Sequence, residues 1–275
     1  MKSDLVFNGN EKKIYATDEE NVVLIHYTDI ITCYNKVKRA RIHNKGIYTN
    51  KISALLFDYL QENGIRTHFI RQVNDRDQLC HKIEIVPVEV DVHNIVAGTM
   101  ARILGLEEGK KLDTTVIDLR YNNQKLGKPL INETRAGALG LMTFEELKNV
   151  TQTAIRINNL LKQKFEEVDI ILVDMKLEFG RAADGNLILS DEISPDRCRL
   201  WDKTTGEKLD KDRFRRDLGG VEDDLAVELA RPDDLLGLHD PALLVAHGDG
   251  DGDLPAAMRV DEHAAGRHLA LVVGA

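Results

Sequence analysis

The chain has 275 residues, 43% of them hydrophobic and 30% charged, which supplies the apolar surface for one large domain or two closely associated ones. Its net charge of -9 speaks against a general nucleic-acid surface, while a local basic pocket for phosphate still fits within an acidic protein. No apolar run approaches the roughly 18 residues of a membrane-spanning helix, the opening MKSDLVFNGNEKK lacks the apolar core of a signal peptide, and Cys33, Cys80 and Cys198 stand too far apart for a zinc or dithiol motif.

These features predict a cytoplasmic protein with reduced, structural thiols and small-molecule partners, with no nucleic acid and no membrane; a homo-oligomer is left open. Along the chain, residues 22–27 are apolar and β-rich. Residues 47–63 then place Ile52, Leu55, Leu56, Tyr59 and Leu60 on one helical face before Gly64. Residues 80–96 alternate apolar and polar side chains, the period of strands with one buried face, and Pro87 is expected to break them into two. Residues 143–168 carry Leu147, Val150, Ile157, Leu160, Leu161 and Phe165 at helical spacing, with Thr143 and Glu146 as a capping box. Two strand-like runs, 170–179 and 186–193, are joined by GRAADG, whose Asp184 and Gly185 predict a β-hairpin. Beyond residue 221 the composition changes: residues 222–275 lack Lys, Asn, Ile, Ser, Thr and Tyr. That tail reads either as a weakly ordered extension or as an extra packed element.

The densest polar region is residues 174–216, where charges interrupt strands that otherwise read as buried. In VDMKLEFG, residues 173–180, the two-residue period sets Asp174, Lys176 and Glu178 on one face and Met175, Leu177 and Phe179 on the other. Asp191 is in phase with Leu187 and Leu189, so it is expected to point inward and to need a cation. Two carboxylates on adjacent strands with a lysine between them suit Mg²⁺ and triphosphate oxygens; a structural salt-bridge network uses the same residues equally well. Arg199 and Arg215 offer planar forks for carboxylate or phosphate, with a solvated charged helix face as the alternative for DKDRFRR.

VDMKLEFG, DEISPDRCRLWD (191–202) and LDKDRFRRDLGGV (209–221) closely resemble blocks of the SAICAR synthetase family. The resemblance extends back through KISALLFDYLQENGIRTHFI (51–70), KIEIVPVEVDVHNIVAGT (82–99) and GKPLINE (127–133), covering roughly residues 7–231. It implies an α+β, two-part fold of antiparallel sheets with an ATP cleft between them, similar to the ATP-grasp arrangement. It also implies an ATP- and Mg²⁺-dependent ligase that joins the carboxylate of carboxyaminoimidazole ribotide to the amine of L-aspartate through an acyl phosphate, in purine biosynthesis. Residues 1–80 would form the ATP-covering part, 81–231 the larger part, and 232–275 an atypical extension.

By the same resemblance Glu178 and Asp191 hold the metal. Gly9, Lys12 and the run Lys82, Ile83, Glu84, Ile85 and Val86 join them in binding the nucleotide, with adenine against that run. Lys176, Asp196, Arg199, Lys211 and Arg215 serve the reaction, and His93, Thr99, Asp174 and Ser194 the substrates. The chain departs from the family pattern at Glu11 in the glycine-rich turn, along 32–36, at His93 for Arg, at Asn122, Asn123 and Gln124 for Lys-Asn-Asp, and at Lys128 for Asp. A divergent enzyme acting on another heterocyclic carboxylate, or an inactive nucleotide-binding relative, are the alternatives these departures raise. If the purine precursor is the substrate, His93→Arg and Lys128→Asp are expected to raise turnover.

Overall fold

A computed structural model describes residues 4–33 and 38–218 of the chain. The early apolar runs pair as neighbours: β1 (Leu5–Asn8), β2 (Lys12–Ala16) and β3 (Val22–Tyr27) are antiparallel, and a hairpin of β4 (Ile30–Cys33) and β5 (Lys38–Arg41) follows. Helix α1 (Lys45–Glu62) leads on to β6 (Phe69–Gln72) and β7 (Asp77–His81). Together these give a five-stranded sheet in the order β1-β2-β3-β7-β6. Helix α1 stops where Gly64 takes a left-handed φ of 76°, a conformation glycine adopts without strain. It begins at Lys45, two residues before the apolar pattern does, so its first turn carries a charged side chain that periodicity does not report.

The second sheet uses β8 (Glu84–Ile95), β9 (Lys111–Tyr121), β10 (Leu130–Ile131), β11 (Ile170–Arg181), β12 (Leu187–Ser190) and β13 (Cys198–Asp202). Its order is β10-β9-β8-β11-β12, and β13 also pairs with β11. Between these strands come α2 (Gly98–Leu104), α3 (Glu133–Ala138) and α4 (Phe144–Glu166), and α5 (Asp212–Arg216) ends the described chain. Helices and antiparallel sheets in these proportions make the α+β class anticipated from the sequence.

Helix α4 begins as its local sequence dictates. Thr143 N donates to Glu146 Oε2 at 2.7 Å, and Glu146 N donates back to Thr143 Oγ1 at 3.2 Å. Its buried stripe of Leu147, Val150, Ala154, Ile157 and Leu161 joins Val88, Val90 and Val92 of β8 and Met175, Leu177 and Phe179 of β11 in one core. Each large side chain buried there contributes about 1.5–3 kcal/mol. The opposite face of the same strands is left to the charged residues.

Two expectations are corrected. The break near Pro87 falls instead at Lys82 and Ile83, and Pro87 sits inside β8. There the register against β11 shifts between Glu178 and Gly180, and at such a bulge a residue without an N–H is tolerated. The second hairpin strand ends at Ser190, because Asp191 takes a φ of 67° and leaves the extended conformation. Backbone bonds join the two sheets at Leu189, where His68 N donates to Leu189 O at 2.9 Å and Leu189 N donates to Arg66 O at 3.0 Å. The tail 232–275 and residues 34–36 of the altered loop lie outside the described residues.

Candidate active site

Register places three acidic or basic residues of β8 opposite three of β11: Glu89 faces Glu178, Asp91 faces Lys176, and His93 faces Asp174. Strand β9 adds Arg120 beside Glu89 and Asp118 beside Asp91, and β13 adds Arg199 beside Asp174. Cross-strand pairing thus gathers on one sheet face charges that lie 80 to 90 residues apart in sequence. Lys176 Nζ donates to Glu89 Oε1 at 2.8 Å and to Asp91 Oδ1 at 3.3 Å. Lys128 Nζ donates to Glu89 Oε2 at 2.6 Å, and Arg120 Nε to Asp91 Oδ2 at 2.5 Å. Burial alone would raise the Glu89 carboxyl, but Lys176, Arg197 and Lys128 outweigh it and hold the group ionised, well below the usual carboxylate range.

Glu178 and Asp191 converge on a single cation, the guanidinium of Arg197. Its Nη2 donates to Glu178 Oε1 at 2.8 Å and also contacts Asp191, and Nη1 donates to Glu89 Oε2 at 3.3 Å. Lys12 at the start of β2 pairs with Asp191 as well, and its Nζ donates to Glu192 Oε2 at 3.2 Å. Gly9 lies in the turn before it, its N–H donating to Lys12 O at 3.0 Å. A Cβ at Gly9 would stand 2.7 Å from that same oxygen, so the turn requires glycine. Among the described residues no group of three or more His, Cys, Asp or Glu side chains is placed to hold a metal. Two convergent carboxylates that already share a positive charge nonetheless suit Mg²⁺, which takes one or two protein carboxylates and completes its shell with phosphate oxygens and water.

Next along the face, Arg199 Nη1 donates to Asp174 Oδ2 at 2.6 Å and its Nε to Asp212 Oδ2 at 2.9 Å. His93 is buried 3.6 Å from both Asp174 and Asp118. Gly98, with a φ of 53°, opens α2 beneath the guanidinium; a Cβ there would fall 2.4 Å from Arg199 Nη2. Thr99 follows it in α2.

The loop between β12 and β13 and the stretch from Leu209 into α5 bring in the remaining candidates. Asp196 is held by Lys45 Nζ at 2.5 Å, with Lys211 Nζ at 3.8 Å, and Ser194 Oγ accepts from Asp196 N at 3.2 Å. Lys211 Nζ reaches Glu11 Oε1 at 2.8 Å, and Arg215 pairs with Asp212. Asp210 accepts from Leu200 N at 2.9 Å and Asp212 N at 2.7 Å, anchoring this stretch. Burial and then the Asp212 charge push its carboxyl up to about 7.

Lys82, Ile83, Glu84, Ile85 and Val86 form the connection from β7 into β8. Lys82 N donates to Asn21 O at 2.8 Å, and Ile85 and Glu84 register against Gly180 and Arg181. Lys82 also borders a cavity of about 530 Å³ shared with Asn21, Arg66, His81 and Ile188.

Several participants are not evident from sequence: Lys45, Glu89, Asp91, Arg197 and Glu192. The recoverable signal was VEVDVH, whose acids repeat at period two opposite valines, the same pattern as in VDMKLEFG. The geometry argues against the expectation for Lys128→Asp. An aspartate there would set a second carboxylate beside buried Glu89 and remove one of its cations, so kcat/KM is expected to fall by about tenfold or more, not rise. Steady-state kinetics of the single variant, with Lys128→Met as the charge-free control, check this; a gain in efficiency would refute it.

A family model described as SAICAR synthetase matches residues 5–232. A phosphoribosylaminoimidazole-succinocarboxamide synthase of Clostridium botulinum (strain Alaska E43 / Type E3) is 54% identical over 222 residues, which is 81% of this chain and 94% of that protein. Its counterpart in Fusobacterium nucleatum is 51% identical over the same spans. The crystal structure of the synthase from Ehrlichia chaffeensis matches with a TM-score of 0.81 and 38% identity, over 85% of this chain and 98% of that one. A SAICAR synthetase solved in complex with ADP matches with a TM-score of 0.78 and 36% identity, over 84% of this chain and 97% of that one.

Proposed function

The chain belongs to the SAICAR synthetase family, and on that footing we propose how its own side chains carry the reaction. It is an ATP-dependent carbon-nitrogen ligase of purine biosynthesis, which forms an amide between the carboxylate of carboxyaminoimidazole ribotide and the amine of L-aspartate. The reading of the site rests on one observation above the others: Glu178 and Asp191, from two adjacent elements, close on a single positive charge at the edge of a buried ionic sheet face. Such a pair is suited to hold Mg²⁺, which when bound offsets charge on the ATP phosphates.

Lys12 and the Gly9 turn cover the triphosphate, with adenine against residues 82–86. A carboxylate oxygen of the ribotide attacks the γ-phosphorus, the bond to the β–γ bridging oxygen breaks, and ADP leaves. The aspartate amine then attacks the acyl carbon, loses a proton, and displaces inorganic phosphate. Lys176 faces the phosphoryl group in transfer, its ammonium fixed by Glu89 and Asp91 before substrate arrives, so that no reorganisation is needed when charge develops. Arg199, His93 and Thr99 form a corner for the ribotide's anionic group, with Asp174 orienting Arg199. Asp196, Ser194, Lys211 and Arg215 line the side on which aspartate is held.

No helix among the described residues is long and apolar enough to cross a membrane, and the place of work we propose is the cytoplasm. The test is ADP release by the full chain with Mg-ATP, aspartate and the ribotide, each omitted in turn. Release that requires all three is the expected result; release indifferent to the ribotide, with another azole carboxylate supporting it, would give the divergent reading instead.

A further inference from the structure

The glycine-rich turn carries an anion that the reaction just described does not use. Glu11 Oε1 accepts from Thr32 N at 3.0 Å, from Thr32 Oγ1 at 2.9 Å and from Lys211 Nζ at 2.8 Å. An amide N–H, a hydroxyl and an ammonium meeting on one carboxylate oxygen are the donors by which a protein holds a carboxylate ligand, and charge-assisted bonds of this kind are the strong ones. The donors come from β4 and from the residue before α5, which Glu11 reaches across from another part of the chain.

Lys211 is shared between two acids. Its other acid, Asp196, lies at 3.8 Å and is already held by Lys45 at 2.5 Å. When Glu11 withdraws, the Lys211 ammonium and the Thr32 donors stand open together. Glu11 itself is 27% exposed at the side chain, in the turn between β1 and β2 where its backbone O accepts from Thr28 N at 2.9 Å, so rotation of the side chain alone frees the seat without moving the backbone.

Resting on the ligase reading, we infer that Glu11 is a specificity-determining residue that occupies, as an internal stand-in, the seat of a substrate carboxylate formed by Thr32 and Lys211. The seat takes a carboxylate of one of the two carboxylate-bearing substrates, the amino acid or the azole ribotide. The substrate gains it only in the fraction of molecules whose Glu11 has swung away, which weakens its apparent affinity by that fraction. The residue thereby raises the KM of one substrate and leaves that of ATP, which carries no carboxylate, where it was.

The experiment compares the full chain with Glu11→Gln and Glu11→Ala. KM is measured for ATP, aspartate and ribotide separately, and calorimetric titrations with aspartate and with ribotide are run beside them. Both variants are expected to lower KM and Kd for one carboxylate substrate by about tenfold, the worth of one charge-assisted contact, with the KM of ATP moving by less than about twofold. The substrate whose constants fall is the one that uses the seat. Constants that stay put for both, or that rise, overturn the inference, and so does a parallel fall for ATP, which would mark a general loosening of the turn. If the wild-type chain releases no ADP with all three substrates, the ligase reading fails on its own account, and the calorimetric comparison still decides whether Glu11 excludes a carboxylate.

Discussion

Asp191→Asn is expected to lower kcat by a factor on the order of 10²–10³ and to abolish most of the Mg²⁺-dependent gain in ATP affinity, the scale on which single preorganised electrostatic groups act. Glu178→Gln should do nearly as much. Amidation keeps the shape of either side chain but removes a hard anionic oxygen from a point where the two carboxylates share one guanidinium and where Lys12 also pairs with Asp191. With one anion gone, less negative charge offsets Arg197 and Lys12 at this point, and a divalent cation would enter against a more positive field. ATP titrations with Mg²⁺ and with a chelator, on wild type and both variants, separate metal-dependent from metal-independent binding. Equal Mg-ATP affinity in all three proteins would remove the metal role. Thermal melts run in parallel guard against reading an unfolding effect as a binding one.

Lys45→Met is expected to destabilise the chain by about 3–5 kcal/mol, the cost of breaking a buried ion pair, with Lys211 left 3.8 Å from Asp196 as the more distant cation. Lys45 and Asp196 are 1% and 3% exposed at their side chains and 2.5 Å apart, so almost no water screens the charge left behind. Burial pulls the lysine's pKa down, but Asp196, Glu11 and Glu192 outweigh it, so the amine stays charged and the loss is that of a cation. For a protein of this length the fall in Tm is roughly 6–20 °C. Lys45→Met combined with Asp196→Leu should recover most of it, since an apolar pair of similar volume avoids the desolvation of both ions. A single variant melting within about 2 °C of wild type, or a double variant worse than the single, would show that the pair does not carry this energy.

How far the sequence disclosed these roles depended on the distance over which each residue finds its partner. The capping box of Thr143 and Glu146 and the two faces of VDMKLEFG were legible because their physics is local: a side chain three residues from an N–H, and a pleat that alternates every residue. Lys45 was not, because it sits at the head of a helix whose apolar stripe begins later, and its partner lies 151 positions away. Arg197, central to the site, stood unremarked within DEISPDRCRLWD because nothing in that string says that a strand reversal will aim it back at Glu178. Asp191 was expected to point inward by strand phase. It does meet cations, yet through a left-handed backbone that takes it out of phase, so the expected pairing arose from a different conformation. Pro87 was read as a terminator when the sheet had a bulge in which to place it.

The hydrogen bonds that join residues 66–68 to Leu189 also bear on how the two sheets are held together. They run between backbone groups, with His68 buried and its imidazole held neutral, burial above all driving its pKa down to about 3. A seam of that kind is made of main-chain groups, so no side-chain substitution short of proline removes its bonds. The turn between β1 and β2 is tied to its own sheet by main chain, Thr28 N donating to Glu11 O at 2.9 Å, while the Glu11 and Lys12 side chains reach across to Lys211 and Asp191. One short turn is thus moored twice, by its backbone to its own sheet and by its charges to the residue that follows β12 and the residue that precedes α5.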